Sequence, residues 1–394
     1  MTTAQKKNQV EYFPLVDNRR FHEEVKGPTM TGEISLSHKF RRNNSFIING
    51  WTYGQALGHF LLEKKVVGSA SPHIVEVGGG LGDVSHEIIR ILLEDGREPF
   101  YTILDLSPSL QEAQKARLAE FKGRTEFILG DAEKTDRIVK PADLLIANEV
   151  LGDFRAITNI PLERGGHPTG RLTTKERRML ESSHSSQRLW NTAWNMIERY
   201  ALEVPPEDFC AKGSGFVLNY GAIKFLETLN ATLKPAGTAF ISENSTQHAI
   251  GLILPEHMEY TISSRHVEQV LDRIGLTWSA GTPNDFLQID PTRKIVDLTY
   301  ANACAILGHW HASKLASDNP EVRIEVKQTM ALARRLLPQE FRPPLFDSAL
   351  TPEEYVAELD RSRLIRQDKP QVGEVLTTMN PTSAFRYYLI QKPE

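Results

Sequence analysis

Short apolar runs alternate with amphipathic stretches over the first 150 residues of this chain. Four of these runs have the length of buried strands: residues 73–77, 100–104, 125–129 and 142–147. Residues 51–65, 85–93 and 109–121 have helical spacing instead, and Ser107 and Pro108 are suited to cap and open the last of these helices. The alternation is typical of βαβ units and predicts an α/β fold with a doubly wound, Rossmann-like parallel sheet.

The pattern divides the 394 residues into three parts. Residues 1–45 are polar and predict an N-terminal arm or lid-like entry segment. Residues 46–295 form the sheet-containing domain, interrupted at 152–213 by a predicted helical insertion with a long helix near residues 174–202. Residues 296–394 have helical spacing and predict a C-terminal helical extension.

Strand signals return after the insertion. They lie at residues 215–220, 238–242, 276–278 and 286–289, with helical stretches at 222–233 and 263–274 between them. The last two signals resemble the antiparallel sixth and seventh strands that close the sheet of a seven-stranded α/β fold. In the insertion, Trp190 and Trp194 stand at helical spacing, which is more typical of packing than of a ligand pocket.

A glycine-rich turn follows the first predicted strand. Gly78, Gly80 and Gly82 lie within the run Val-Gly-Gly-Gly-Leu-Gly, and glycine allows a backbone to turn tightly and approach a ligand closely. The amides of the following helix favour a negative group. By itself this pattern predicts only a nucleotide-type cofactor site.

Polar residues also end the other predicted strands. Asp105 follows the second strand, where a carboxylate accepts hydrogen bonds from a ribose diol. Asp131 follows the third and is placed for an adenine amino group, while Asn148 and Glu149 follow the fourth. A nicotinamide enzyme is the alternative, because NAD sites also use a ribose-binding carboxylate. The acid-rich edge fits a cationic sulfonium cofactor better than NADP.

This series resembles class I S-adenosylmethionine-dependent methyltransferases, whose sheet has seven strands. The resemblance implies that Glu76 lies near the methionine end of the cofactor, that Asp105 binds the ribose and that Asp131 binds the adenine. The cofactor site implied by it comprises Glu76, Gly78, Gly80, Gly82, Asp105, Leu106, Asp131, Ala132 and Asn148. The cofactor is then S-adenosyl-L-methionine.

The methyl acceptor is expected beside residues 148–154, because ligands bind outside the carboxyl ends of strands in open α/β sheets. Glu149 is predicted to accept a hydrogen bond from a guanidinium, amine or hydroxyl acceptor, and Asp153 to assist with a cationic one. Tyr220 is the third catalytic candidate. The structural alternatives are helix capping or solvent exposure for the acids and a packed position for the tyrosine.

Several segments together resemble one branch of that class, the MidA family. They are residues 46–48, 53–58, 75–82, 106–114, 147–151 and 215–221. The family usually carries aspartate where this chain has Gly152 and Asn219. The resemblance implies transfer to a guanidinium or amine nitrogen of a protein or peptide side chain, with Glu149 orienting it.

Composition and charge reduce the number of functions that fit the chain. A net charge of −4 argues against broad binding to nucleic acid, and two cysteines form neither a disulfide framework nor a metal cluster. No histidine spacing predicts a metal site. No apolar run approaches the ~20 residues that span a bilayer, and residues 1–10 lack the apolar segment of a signal peptide. We therefore expect a cytoplasmic protein without a membrane partner; the sequence leaves a homodimer open.

Three functions remain open at this point. The first is a nitrogen methyltransferase that acts on a protein or peptide. The second is a small-molecule N- or O-methyltransferase of secondary metabolism, in which the insertion and the C-terminal helices cover a closed pocket. The third is a non-catalytic assembly factor that binds the cofactor, and the complete set of glycines and strand-end acids argues against it.

Overall fold

A twisted central sheet is the frame of the part of the chain that the computed structural model describes. That part comprises residues 14–24, 35–40, 51–166, 184–206, 215–253, 258–288 and 385–394. The sheet strands, in spatial order, are β12 (Thr277–Gly281), β13 (Phe385–Gln391), β8 (Leu233–Thr246), β5 (Ala142–Asn148), β2 (His73–Val77), β3 (Phe100–Asp105) and β4 (Thr125–Leu129). The predicted α/β class and Rossmann-like sheet are confirmed.

One strand of this sheet, β13, runs opposite to the others. The neighbours from β8 to β4 are all parallel, whereas β13 runs antiparallel to both β8 and β12. A short strand, β11 (Ile262–Ser263), adds a parallel pairing to the far end of β8. The carboxyl ends of β2, β3, β4, β5 and β8 therefore meet at one edge, where a ligand site is expected.

Helices cover both faces of the sheet. They are α3 (Tyr53–Glu63), α4 (Asp83–Glu94), α5 (Pro108–Arg117), α6 (Thr135–Ile138), α7 (His184–Tyr200), α8 (Tyr220–Thr232) and α9 (Ser264–Ile274). Alternate side chains of one strand enter opposite cores. Val75 and Leu145 pack on the face of α8 and α9, and Ile74 and Leu144 on the face of α3 and α4.

Local signals predicted several helix starts correctly. The Ser107 hydroxyl accepts a hydrogen bond from the Leu110 amide at 3.3 Å, which caps α5. Ser263 caps α9 in the same way through the amide of His266 at 3.3 Å. Thr52 and Gln55 form a reciprocal capping box at the start of α3.

The predicted end of the sheet is wrong in two respects. Residues 284–287 form a short helix, α10 (Asn284–Leu287), where residues 286–289 were expected to be a strand. The strand that closes the sheet is β13, within the part of the chain predicted to be a helical extension. Because β13 lies between β8 and β12, β12 has the same direction as β8 and only β13 is reversed. The other predicted C-terminal helices lie outside the described residues.

The predicted helical insertion contains a strand. Residues Ala156–Ile160 form β6, which pairs antiparallel with β1 (Leu15–Val16) and with β7 (Phe216–Leu218) in a separate three-stranded sheet. The part of the predicted long helix before residue 184 lies outside the described residues. Trp190 is 6% exposed and donates to the Thr158 carbonyl at 3.1 Å, so this tryptophan has a packing role.

Three smaller elements complete the description. The arm contributes α1 (Arg19–Glu24) and α2 (Leu36–Lys39), and a hairpin joins β9 (Gly251–Ile253) to β10 (Met258–Tyr260). Within the described ranges, no helix is both long enough and apolar enough to cross a membrane.

Candidate active site

A cavity lies at the carboxyl edge of the parallel strands and brings most of the predicted site residues together. Its walls include Gly78, Gly80, Asp105, Leu106, Asp131, Ala132, Asn148, Glu149 and Asp153. These residues come from four different strand ends, which are far apart in sequence. Glu76, Gly82 and Tyr220, the other three predicted residues, are not among the residues that line it.

The glycine turn forms one wall of the cavity. Gly78, Gly80 and Gly82 have φ values of 69°, 52° and 83°, in the left-handed region that glycine tolerates best. A Cβ at Gly78 would lie 2.7 Å from Val150 Cγ2, whereas one at Gly80 would meet no heavy atom within 4 Å. Gly80 therefore leaves open space for a ligand. Gly82 is the N-cap residue of α4 and ends the turn without lining the cavity.

Glu76 supports this turn from inside the sheet. Its buried carboxylate accepts hydrogen bonds from the Ser85 hydroxyl and, at 2.8 Å, from the Tyr101 hydroxyl. Burial raises the pKa of Glu76, and the two hydrogen bonds oppose that shift. The side chain therefore links β2, β3 and α4. In this structure its direct partners are protein groups, and its expected place at the methionine end of the cofactor stays a prediction.

Asp105 presents a pre-oriented carboxylate at the tip of β3. One oxygen accepts from the Ser107 amide at 2.9 Å and the other from Gln114 Nε2 at 2.7 Å. Burial raises the pKa of Asp105, while these hydrogen bonds favour the carboxylate. Since each oxygen has a second lone pair, Asp105 keeps acceptor capacity for a ribose diol.

The N-terminal arm covers the part of the cavity beside Asp131. Arg19 of α1 donates from Nη1 to Asp131 Oδ2 at 3.2 Å and from Nε to Asp17 at 2.8 Å. Arg19 and His22 both line the cavity. The predicted entry segment is thus in contact with the position expected for adenine, a pairing that no local sequence signal indicated.

Asn148 is held by a helix that precedes the first sheet strand. The hydroxyl of Tyr53, fully buried in α3, donates to Asn148 Oδ1 at 2.6 Å. Burial raises the pKa of Tyr53 well above its ordinary value, so the hydroxyl remains a donor. With its oxygen engaged in this way, Asn148 can offer its amide N–H groups to a ligand.

Glu149 adopts an unusual backbone conformation at the end of β5. Its φ of 57° lies in the left-handed region, where a non-glycine residue is strained. Its amide donates to the Ser242 carbonyl at 2.7 Å, and its carboxylate accepts from the Ser37 amide at 3.1 Å. Such strain is often found at functional sites, and here it turns the side chain of Glu149 into the cavity wall.

Two further acids line the cavity together with Glu149 and Asp153, and the sequence had not indicated either. Glu243 follows Ser242 near the end of β8, and Glu259 belongs to β10. Burial, together with the charges of Asp153 and Glu149, raises the pKa of Glu243 to about 8, while hydrogen bonds from the Gly152 and Asn244 amides oppose the shift. Asp153 in turn lies 3.2 Å from Nε2 of His22. This part of the cavity therefore concentrates carboxyl groups.

Tyr220 does not line the cavity, and the catalytic role predicted for it stays a prediction. Its ring packs under the guanidinium of Arg155, 5.0 Å from centroid to Cζ, and Arg155 pairs with Glu133. The reason is topological. Tyr220 follows β7, and β7 joins the small sheet instead of the central one. Its position is thus a packed one, the structural alternative for this tyrosine.

The cavity suits a cationic adenosyl cofactor. Gly80 leaves an open cradle, Asp105 offers acceptors for hydroxyl groups, and carboxylates outnumber the cations that line the wall. In the described part of the chain, no group of three or more histidine, cysteine, aspartate or glutamate residues is arranged to hold a metal ion.

Comparisons with known proteins agree with this interpretation. Residues 58–250 match the model of a family described as "Putative S-adenosyl-L-methionine-dependent methyltransferase". Over 81 residues, 20% of this chain, the sequence is 37% identical to 5-methylorsellinic acid synthase from Aspergillus terreus (strain NIH 2624 / FGSC A1156). The chain spans only 3% of the length of that synthase.

Several solved structures have a similar backbone path. The [4+2]-cyclase SpnF has a TM-score of 0.45 at 10% identity, covering 96% of this chain and 97% of its own. An uncharacterised protein from Burkholderia thailandensis has a TM-score of 0.45 at 13% identity, covering 96% and 87%. Phosphoethanolamine N-methyltransferase 2 from Haemonchus contortus has 0.40 at 12% identity, covering 96% and 60%. At these scores the likenesses carry no argument about ligand or reaction.

The family match over residues 58–250 and the largely parallel central sheet together support an S-adenosyl-L-methionine-dependent methyltransferase with a class I fold. Its cofactor is S-adenosyl-L-methionine.

Proposed function

We propose that this protein transfers a methyl group from S-adenosylmethionine to a nitrogen atom, an amine or guanidinium, of a protein or peptide side chain. The observation that carries this proposal is the acidic acceptor side of the cavity, formed by Glu149, Asp153, Glu243 and Glu259. Carboxylates bind and orient cationic nitrogen groups through charge-assisted hydrogen bonds. The resemblance to the MidA family supports the same acceptor class.

The residues of the cavity divide into two groups by position. Gly80, Asp105 and Asp131 would hold the cofactor, which supplies an electrophilic methyl group on its sulfonium. Glu149 would orient the acceptor nitrogen, and Asn148, fixed by Tyr53 at 2.6 Å, would donate hydrogen bonds between the two ligands. Holding two groups in a reactive geometry accounts for much of the catalysis in such a displacement.

The direct test locates the transferred label. Purified protein is incubated with S-adenosylmethionine labelled in the methyl group and with cell lysate, and the products are separated by size and hydrolysed. We expect label in polypeptides as a methylated arginine, lysine or terminal amine. Label exclusively on oxygen or carbon would contradict the proposal.

Glu149→Gln is expected to leave cofactor affinity within about twofold and to lower turnover at least ~100-fold, because the neutral amide orients a cationic nitrogen poorly. Glu163→Gln, an exposed site outside the cavity wall, is the matched control and should keep full turnover. Calorimetry with S-adenosylhomocysteine measures the first quantity, and label transfer measures the second. Full turnover of the Glu149 variant would remove that residue from the acceptor side.

A small-molecule acceptor is the second candidate, and one observation favours it. The arm lies across the cavity, with Arg19 on Asp131 and the Ser37 amide on Glu149, so a bulky polypeptide has less direct access. In the labelling experiment this function predicts label in the low-molecular-mass fraction. A third candidate, a non-catalytic assembly factor, predicts cofactor binding without label transfer to either fraction.

A further inference from the structure

Glu243 and Glu149 stand side by side at the carboxyl edge of the sheet. β5 and β8 are parallel neighbours in which Asn148 is the register partner of Ser242. A glutamate follows each of these partners, and the Glu149 amide donates to the Ser242 carbonyl at 2.7 Å. The two carboxyl groups therefore reach the same cavity from adjacent strands, although 93 positions separate them in the chain (243 minus 149, less one).

The carboxyl group of Glu243 is fixed by backbone amides. Oε2 accepts from the Gly152 amide at 3.0 Å, and Oε1 accepts from the Asn244 amide at 2.7 Å. Each oxygen keeps a second lone pair, and the residue lines the cavity. Glu243 is thus positioned and still able to accept a hydrogen bond from a ligand.

Among the described residues, no cation forms an ion pair with the Glu243 carboxyl group. The titratable groups around it include Glu149, Asp153, Glu259, His22 and Tyr53. On the neighbouring strand β13, Arg386 is its register partner, and the Arg386 guanidinium lies 3.3 Å from Oε1 of Glu268. His22 lies against Asp153, at 3.2 Å, and among the described residues no lysine, arginine or histidine nitrogen lies within 4.0 Å of the Glu243 carboxylate. A bound cation would supply the missing positive charge.

We propose that Glu243 is a second acceptor-side carboxylate which, together with Glu149, binds the acceptor nitrogen in its cationic form and so selects amines or guanidinium groups over hydroxyl groups. The bound nitrogen gives one proton to the Glu149 carboxylate, and its lone pair then forms the bond to the methyl carbon as the carbon–sulfur bond of the sulfonium breaks. The inference rests on the proposed function, because it assigns the acceptor class of the same cavity. Glu243 acts here as a specificity-determining residue by direct contact with the acceptor.

Binding of a cation beside Glu243 should be coupled to the loss of a proton from that residue. Burial raises the pKa of Glu243 to about 8, so in the free protein the group is neutral below that pH. A cation stabilises the carboxylate, so its binding releases the proton. The affinity for a cationic ligand should therefore increase as the pH rises towards 8 and then level off, whereas the affinity for a neutral ligand should not.

The test compares two cofactor analogues, so no acceptor needs to be known. Sinefungin carries an ammonium group in place of the methyl-bearing sulfonium, and S-adenosylhomocysteine carries a neutral thioether there. Calorimetry gives the ratio of their affinities at about pH 6.5 and about pH 8.5. In the unmodified protein we expect the preference for sinefungin to increase ~10-fold over this range, since one pKa unit corresponds to a tenfold change.

In Glu243→Gln the increase in this preference should disappear, with S-adenosylhomocysteine affinity within about twofold of the original. Glu163→Gln, which removes one exposed charge, should keep the increase. An unaltered increase in the Glu243 variant overturns the inference. If the Glu243 variant does not fold, the measurement on the unmodified protein still tests the inference, because a preference for sinefungin that does not change with pH also overturns it. Failure of the unmodified protein to bind S-adenosylhomocysteine would overturn the proposed function instead.

Discussion

Two glycines, Gly80 in the turn after β2 and Gly96 after α4, allow effects on stability to be separated from effects on ligand binding. Gly80 and Gly96 both have positive φ, 52° and 78°, and neither position has a heavy atom within 4 Å of an added Cβ. Only Gly80 lines the cavity. A substitution at either site thus introduces the same kind of backbone strain, but only one of them reaches the ligand.

We expect Gly80→Ala and Gly96→Ala to lower the free energy of unfolding by a similar amount, about 1 kcal/mol each, from left-handed strain. Only Gly80→Ala should weaken S-adenosylhomocysteine binding, by at least ~10-fold, because its methyl group enters the ligand space. Denaturant unfolding and calorimetry measure the two effects. Equal ligand affinity in both variants would show that Gly80 does not contact the cofactor.

Glu243 should also affect the pH dependence of stability. Its folded pKa of about 8 exceeds the ordinary value of 4.5, so between these values the folded state holds a proton that the unfolded state has lost. The contribution of this group to stability therefore falls as the pH rises, by up to about 1.4 kcal/mol per unit, and levels off above the folded pKa.

Glu243→Gln removes this dependence, so the variant should gain stability relative to the unmodified protein as the pH is raised from about 5 to about 8. Denaturant unfolding at several pH values measures the difference. A difference that does not change with pH would show that Glu243 is ionised in the folded protein throughout this range.

At the scale of elements, β13 connects β12 to the rest of the central sheet. It bridges β8 and β12, and its Ile390 pairs with Ala239 on one side and with Trp278 on the other. Ile390 is 0% exposed, whereas the adjacent Gln391 points to solvent. This strand follows a long segment outside the described residues, so its pairing is entirely non-local.

Ile390→Ala should lower the free energy of unfolding by about 2–5 kcal/mol, since it leaves a cavity in the core. Gln391→Ala, one position along the same strand, should alter it by no more than about 0.5 kcal/mol. Thermal or denaturant unfolding compares the two variants. Similar values for both would mean that β13 does not contribute a buried face.

At the scale of the whole molecule, binding of the cofactor should increase the thermal stability of the protein. A ligand that binds only the folded state stabilises it by about 2.7 kcal/mol at a hundred times its Kd. We expect S-adenosylhomocysteine to raise the Tm measurably and NAD to leave it unchanged. In Asp105→Asn the shift should be much smaller, because one acceptor oxygen for the ribose is replaced by a donor amide. A Tm shift with NAD of similar size would favour a nicotinamide enzyme.

Much of the fold was predictable because its signals are local. These signals are the spacing of apolar residues, the helix caps such as Ser107 and Ser263, and the glycines of the turn, and each depends on residues close in sequence. The positions of Asp105, Asp131 and Glu149 were predictable for a similar reason. Each lies at the end of a buried strand, and in an α/β sheet the strand fixes where such a residue lies. Chain order therefore placed these groups at one edge.

Tertiary structure alone decided which other groups join that edge. Glu243 lies within the long strand β8, Arg19 and His22 come from the arm, and each reaches the cavity through strand register or through ion pairs between distant segments. Tyr220 lies outside the cavity wall, because β7 joins the small sheet. The sequence by itself determined most of the elements and the edge at which the strand-end acids meet, because both follow from local periodicity. The three-dimensional pairing determined which acids join Glu149 and Asp153 in the cavity, because neighbours in space there are remote in the chain.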